Sequence, residues 1–169
     1  MSERSERKPP LAIGVSELLR RPGTQREFVV AAELEGVQIS SAAVPSGAEV
    51  DGRFTIEAMN DHAVSVKGEV TAPWIGDCRR CLRAVEGELT ARVEEIFDVH
   101  PIEGETYPLE GERVNLEPLV RDAVLLALPL APLCEETCPG PEPEEHPIGT
   151  TSDDEIDPRW SALGDLKFD

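Results

Sequence analysis

Aromatic residues and positive charges are both scarce in this sequence. Phenylalanine, tryptophan and tyrosine make up 4% of the 169 residues, so a buried core has to be built mainly from aliphatic side chains. Lysine and arginine number 16 against 34 acidic residues, which gives a formal net charge of −18. This charge argues against nucleic-acid binding by bulk electrostatics, because such binding depends on neutralising phosphates. It leaves a local basic contact open and makes a basic protein partner plausible.

Signatures of membrane insertion, export and catalysis are also missing. No apolar run approaches the roughly 20 residues needed to cross a bilayer, and the start MSERSERKPP lacks the apolar stretch of a signal peptide. We therefore expect a cytoplasmic protein with no membrane partner. There is no phosphate-binding glycine loop, no G-x-S-x-G and no H-E-x-x-H, and the histidines show no catalytic spacing. We expect neither an enzyme nor a small-molecule substrate.

The length and the polar ends indicate one domain with tails. We predict a disordered tail at residues 1–10 and an α+β domain at residues 11–138. An acidic, proline-rich linker is expected at residues 139–157, because such a composition cannot bury enough apolar surface to fold. A short docking helix is expected at residues 158–169.

The predicted docking helix has a start signal and an apolar face. Asp157 and Pro158 are suited to the N-cap and to the first helical position. Trp160, Leu163 and Leu166 then recur at helical spacing. We interpret these three residues as a face that docks onto the protein's own domain or onto a partner.

Three segments in the first half alternate between apolar and polar residues, which is the two-residue period of β-strands. They are residues 49–58, 63–72 and 85–93, and each has one polar face that includes acidic side chains. Such patterns are typical of an antiparallel sheet with one solvated side. We predict the class α+β, with a mainly antiparallel β body, a C-terminal apolar helix and short terminal helices.

The period changes to that of a helix after Asn115. Apolar residues then follow one helical face as far as Ala127, Asn115 is suited to the N-cap, and Pro118 is tolerated in the first turn. A second, shorter helix is expected at residues 15–21, where Pro22 and the glycine after it stop the helical pattern.

Four cysteines occur in two pairs, Cys78 with Cys81 and Cys134 with Cys138. A C-x₂-C turn presents two thiolates side by side, which suits tetrahedral zinc, and the second pair can complete a closed structural site. Ordinary reduced thiols are an alternative, since disulfides are rare in a reducing compartment. A redox pair is another, although it calls for a βαβ context and the flanks here indicate strand-turn-strand.

Three arginines surround the first cysteine pair in an otherwise acidic chain. Arg79, Arg80 and Arg83 are candidates for contacting RNA phosphate, or for steadying the thiolates electrostatically. The alternative is a solvated turn whose charges pair with nearby glutamates. Arg20, Arg21 and Arg26 form a second basic group near the N-terminus, for which the same two interpretations hold.

Three blocks of this sequence resemble a known bacterial family. They are DCRRCL, the stretch NLEPLVRDAVLLALPLAPLC with the C-x₃-C-P-G that follows it, and the tail DPRWSALGDLK. Over residues 11–169 the chain resembles the YceD family of large ribosomal RNA subunit accumulation proteins, also called domain of unknown function 177, and particularly its actinobacterial members. In similar sequences C-P-G is often followed by C-x-x-C-G, whereas here PEPEE occupies that stretch, so a metal site has only four cysteines to draw on.

The resemblance implies a cytoplasmic, non-enzymatic factor in ribosome biogenesis. Such a factor supports synthesis, processing or stability of 23S ribosomal RNA, and its partner is a pre-50S particle or the 23S precursor itself. A metal-dependent nuclease would suit the same role, but no carboxylate or histidine constellation supports one. The charge suggests a different alternative, an acidic adaptor or chaperone that binds a basic ribosomal protein without RNA contact. This alternative rests on the excess of acidic residues after residue 100, where 4 basic and 17 acidic residues occur.

Overall fold

A computed structural model describes residues 11–141, which form eight strands and two helices. In chain order these are β1 Ala12–Gly14, α1 Ser16–Leu19, β2 Gln25–Glu33, β3 Ala42–Ala43, β4 Glu49–Ala58, β5 Ala63–Asp77, β6 Ala84–Asp98, β7 Tyr107–Glu110, β8 Arg113–Asn115 and α2 Glu117–Ala127. The body is therefore mostly β-structure with few helical residues. The expected N-terminal tail, most of the linker, and the docking helix with Trp160, Leu163 and Leu166 lie outside the described residues, so the domain boundaries stay a prediction.

The strands form a mixed sheet in the order β1-β8-β7-β6-β5-β4-β2, and β3 pairs with β5 off this path. The pairing of β6 with β7 is parallel and places Phe97 opposite Tyr107, whereas the other pairings are antiparallel. The prediction of a mainly antiparallel body is thus corrected to a mixed sheet. Alternation along a strand reports which face is buried, but it carries no information on the direction of the neighbouring strand.

The three alternating segments coincide with strands that bury their apolar face. The register of β4 on β5 aligns the inward-facing residues of the two strands, and the same holds for β5 on β6. The resulting core is almost entirely aliphatic, as the scarcity of aromatic residues required, with two phenylalanines at its centre. Its fully enclosed members include Val50, Phe54, Ile56, Val64, Val66, Val70 and Phe97.

The helix α2 packs across β6 and β5. The helix begins at Glu117 with Leu116 at the N-cap, one residue later than the predicted Asn115, and Leu116 forms no side-chain cap. The Oδ1 atom of Asn115 still accepts a hydrogen bond from the backbone N–H of Glu117 at 3.1 Å. Leu119, Val120 and Val124 are buried beneath the helix. Neither helix in the described part of the chain has the length and apolarity needed to cross a bilayer.

The hairpin of β5 and β6 contains the two longest strands among the described residues. Each strand has 15 residues, and they are paired from Ala63 opposite Asp98 to Asp77 opposite Ala84. At one end, Asn60 lies in the turn that precedes β5. Its Oδ1 atom accepts hydrogen bonds from the backbone N–H groups of His62 at 2.9 Å and Ala63 at 2.7 Å, a bonding pattern that makes asparagine a favoured turn residue. At the other end, residues 78–83 form the tip that carries the first cysteine pair.

Gly68 provides a test of how tightly this sheet is packed. A Cβ atom there would overlap the carbonyl oxygen of Arg53 and lie 2.9 Å from the Cα atom of Phe54, so both strands would have to move. We expect Gly68→Ala to lower the free energy of unfolding by at least about 2 kcal/mol in chemical denaturation. Gly14→Ala is the matched control, because nothing lies within 4 Å of its Cβ position. Equal stability of the two variants would contradict the packing described here.

Candidate metal centre at the tip of the hairpin

The two cysteine pairs meet at one place although 52 residues separate them in sequence. Cys78 and Cys81 come from the hairpin tip, and Cys134 and Cys138 come from the segment after α2. All four Sγ atoms lie within 4.8 Å of one another. The Sγ distance is 3.8 Å from Cys78 to Cys138 and 3.7 Å from Cys81 to Cys134.

These sulfur distances suit a tetrahedral ion. A Zn–S bond of about 2.3 Å places the four sulfurs of a tetrahedral site about 3.8 Å apart. They are too long for disulfides, and all four cysteines are free thiols. The sequence-based prediction that the two pairs form one cluster is therefore confirmed, and the cluster can hold a metal ion such as zinc.

The tip holds its two cysteines through a tight backbone turn. The N–H of Cys78 donates to the carbonyl of Arg83 at 2.8 Å, and the N–H of Leu82 donates back to the carbonyl of Cys78 at 2.9 Å. Leu82 adopts a left-handed φ of 60°, a conformation that costs a non-glycine residue about 1–2 kcal/mol. Its side chain is 66% exposed, so burial does not offset this strain. Sequence reasoning missed Leu82, because glycine is the usual signal for such a position and it is absent here.

Two sets of hydrogen bonds attach the second cysteine segment to the tip. The backbone N–H of Arg79 donates to the carbonyl of Pro132 at 2.9 Å. The guanidinium of Arg80 donates to the carbonyls of Glu136 and Cys138 at 3.1 and 3.0 Å. The thiols are therefore brought together by contacts that do not themselves involve a metal.

The environment shifts the pKa values of three of the thiols in different directions. Hydrogen bonding from the backbone of Cys81 lowers the pKa of Cys78 to about 6, with smaller contributions from other backbone groups of the site. The guanidinium of Arg83, whose Nε lies 3.4 Å from Sγ of Cys81, lowers the pKa of Cys81. Hydrogen bonding with Cys138, followed by desolvation, raises the pKa of Cys134 to about 12. Negative charge thus forms first at the tip, and a bound cation would draw the proton from Cys134.

The three arginines of the tip have different surroundings. Arg83 and Arg80 contact the cysteine site directly, through a sulfur and through carbonyls. Arg79 uses only its backbone, and its side chain is exposed. Among residues 11–141 none of the three forms an ion pair with a carboxylate.

The second basic group lies far from the first. Arg20 and Arg21 follow α1, and the nearby Gly23 hydrogen-bonds through its N–H to the carbonyl of Ala58. Ala58 pairs with Val64 at the start of β5, whereas the cysteine tip follows the end of β5. The two basic groups are therefore at opposite ends of β5.

A mixed sheet that gathers four thiols at the end of its longest hairpin defines a β-protein with a candidate structural metal centre. The chain belongs to the YceD family, since the family model described as large ribosomal RNA subunit accumulation protein YceD matches residues 66–167. The match includes all four cysteines, the tip arginines and α2.

Individual relatives agree with this assignment. An uncharacterized protein of Mycobacterium tuberculosis is 31% identical over 169 residues, covering 93% of this chain and 81% of the relative. An uncharacterized protein of Mycobacterium leprae is 29% identical over 177 residues, covering 93% and 77%. The chloroplast protein of Arabidopsis thaliana called large ribosomal RNA subunit accumulation protein YCED homolog 2 is 36% identical over 61 residues, or 36% of this chain and 27% of its own. No solved structure matches the chain.

Substitution of Arg80 and of Arg79 tests which of the two side chains holds the second cysteine segment. We expect Arg80→Ala to speed amide hydrogen exchange in residues 133–141 about fivefold, equivalent to about 1 kcal/mol, because two carbonyls lose a charged donor that is partly screened by solvent. Arg79→Ala is the matched control, since its side chain contacts neither carbonyl and its backbone bond to Pro132 is retained. Equal exchange in both variants would show that the guanidinium of Arg80 does not hold the second cysteine segment.

Proposed function

We propose that this protein is a non-enzymatic factor that supports the accumulation of the large ribosomal RNA in the cytoplasm. It acts on synthesis, processing or stability of 23S RNA, bound to the 23S precursor or to a pre-50S particle. The family description carries this proposal. A site closed by four thiolates supports it further, because such a site leaves no open position for a substrate or a reactive water.

Zinc is the metal we assign to the four cysteines. Thiolate ligands select soft or borderline ions, and the sulfur spacing suits a tetrahedral site. In this position the ion clasps the hairpin tip to the segment that leaves α2, so its role is to hold the shape of the tip.

The tip is also the site we assign to RNA contact. The side chain of Arg79 is exposed and has no ion-pair partner among residues 11–141. Arg80 and Arg83 add positive charge at the same tip. The outer face of the sheet, by contrast, repels phosphate, because 10 of its exposed side chains are acidic and 3 are basic. An acidic body with one basic tip restricts RNA binding to that tip and opposes indiscriminate binding elsewhere.

Metal content tests the zinc assignment. Protein purified without added metal or chelator is expected to contain about one zinc per chain by mass spectrometry of the element. Cys78→Ser and Cys138→Ser should each remove most of it, and Arg79→Ala should retain it. Zinc-free wild-type protein with four freely alkylated thiols would contradict the assignment.

Co-sedimentation tests the RNA contact. Tagged protein from lysate should migrate with pre-50S particles that contain 23S precursor RNA. Arg79→Ala should reduce that share several-fold at moderate salt and lower the slope of log affinity against log salt by about one. Arg53→Ala, an exposed arginine of the outer sheet face, is the matched control. Equal loss of co-sedimentation in both variants would show that the tip is not the site of RNA contact. Absence of precursor RNA from every fraction would contradict the assembly function itself.

A second candidate function is an adaptor or chaperone for a basic ribosomal protein, without RNA contact. The acidic outer face of the sheet favours it, because the face is broad and carries a strong excess of one charge. Its ion pairs account for two glutamates, with Lys67 bound to Glu94 and Arg92 bound to Glu69. This function requires binding to a basic protein that weakens steeply with salt and persists in Arg79→Ala.

A further inference from the structure

Most of one edge of the strand β6 is not covered by any other described strand. On one side it pairs with β5 along its whole length. On the other side only Phe97 and Asp98 pair, with the start of β7. Within residues 11–141 the stretch from 84 to 96 therefore has a strand partner on one side only. Every second residue of such a stretch directs its N–H and C=O groups outward, where they can pair with an added strand.

A groove lies between this edge and α2. Residues 91–95 of β6 form one wall, and one face of α2 forms the other, at the helical spacing i, i+3, i+4, i+7, i+8. The helical residues are Leu119, Asp122, Ala123, Leu126 and Ala127. The groove has a volume of about 380 Å³, and Tyr107 lies at one end.

The groove follows the edge of the strand and not one of its faces. Val93 faces the core and Glu94 faces the solvent, yet both line the groove with the residues between and beside them. Five residues of extended chain span about 17 Å. This length accommodates an added strand of similar size.

The walls of the groove combine apolar surface with negative charge. Leu126 is 88% exposed, although the buried face of α2 continues directly into it. Glu94, Glu95 and Asp122 are the acidic residues of the lining and Arg92 is its cation. Glu94 also pairs with Lys67 and Arg92 with Glu69, so Glu95 and Asp122 supply the negative charge that has no basic partner among residues 11–141. A second depression shares Glu95, Asp122 and Tyr107 and adds Glu105. The hydroxyl of Tyr107 donates to Oδ2 of Asp122 at 2.9 Å, which leaves the Oδ1 atom as an acceptor for a cationic side chain.

We propose that this groove binds an extended segment of a basic protein by strand addition to β6. Alternate side chains of the segment are apolar and contact the Leu126 face of α2, and the others are lysine or arginine and contact the acidic wall. This inference deepens the second candidate function by naming its surface and the chemistry of the bound segment, and it is independent of the RNA contact at the tip.

Charge complementarity selects this occupant over two others. The chain's own residues 142–169 contain 9 acidic and 2 basic residues, so they match the groove poorly. A second copy of the chain would bring a net charge of −18 against a wall of the same sign. A basic segment alone gains from both the apolar face and the carboxylates.

The test uses the full chain and the peptide Lys-Val-Lys-Val-Lys-Val-Lys. Binding should shift the backbone NMR signals of residues 91–95 and of the groove face of α2. Methylating alternate backbone nitrogens of the peptide, in each of the two registers, should weaken binding at least tenfold in one register only. Leu126→Ser should weaken binding several-fold, and Leu130→Ser, an 85% exposed leucine outside the groove lining, is the matched control.

Four outcomes would overturn the proposal. Equal binding of both methylated peptides would mean that charge alone attracts the peptide. Signal shifts confined to the outer sheet face would place a basic partner there, and the adaptor function would then stand without this groove. If a synthetic copy of residues 158–169 bound the groove more strongly than the basic peptide, the groove would be assigned to that segment of the chain itself. Concentration-dependent shifts of the same signals without peptide would assign it to a second copy.

Discussion

The register between β5 and β6 is the constraint on which the rest of this structure depends. It runs without interruption from Ala63 opposite Asp98 to Asp77 opposite Ala84. Because side chains alternate along each strand, this single register assigns every residue of both strands to the core or to the solvated face. It also places the first cysteine pair at the end of the hairpin, and it leaves the outer edge of β6 beside α2. A slip by one residue would bring the glutamates of the outer face into the aliphatic core, which excludes the alternatives energetically.

The cysteine cluster ties the end of the chain's described part to that hairpin. The two linked segments are far apart in sequence. Hydrogen bonds from Arg80 to two carbonyls and from the backbone of Arg79 to Pro132 hold them together without a metal ion. The strained conformation of Leu82 is the cost of turning the backbone tightly enough to point two thiols the same way. A metal that binds four thiolates would offset such strain, because its binding free energy adds to the stability of the folded tip.

The charges of the molecule are separated in space as well as in sequence. The tip carries three arginines without carboxylate partners among the described residues, and the outer face of the sheet carries mostly glutamates. Partners of opposite charge therefore favour different parts of the protein. Phosphate is attracted to the tip, and basic protein segments are attracted to the sheet and its edge. The proposed RNA contact and the proposed contact with a basic protein segment therefore use different parts of the molecule.

Much of this protein could be predicted from its sequence because the decisive signals are local. Alternation over residues 49–58 predicts β4 and its buried face, Asn115 and Pro118 predict the start of α2, and the spacing of the cysteines predicts one cluster. Strand direction, the free edge of β6, the separation of Arg20 from Arg79 and the strain at Leu82 could not be predicted in this way. Each depends on which segments become neighbours after the chain has packed, and side-chain periodicity within a segment carries no record of its neighbours. The sequence by itself determined which side of each strand is apolar, where the long helix lies and which residues supply the thiols. Only the tertiary structure decided which other segments these elements contact.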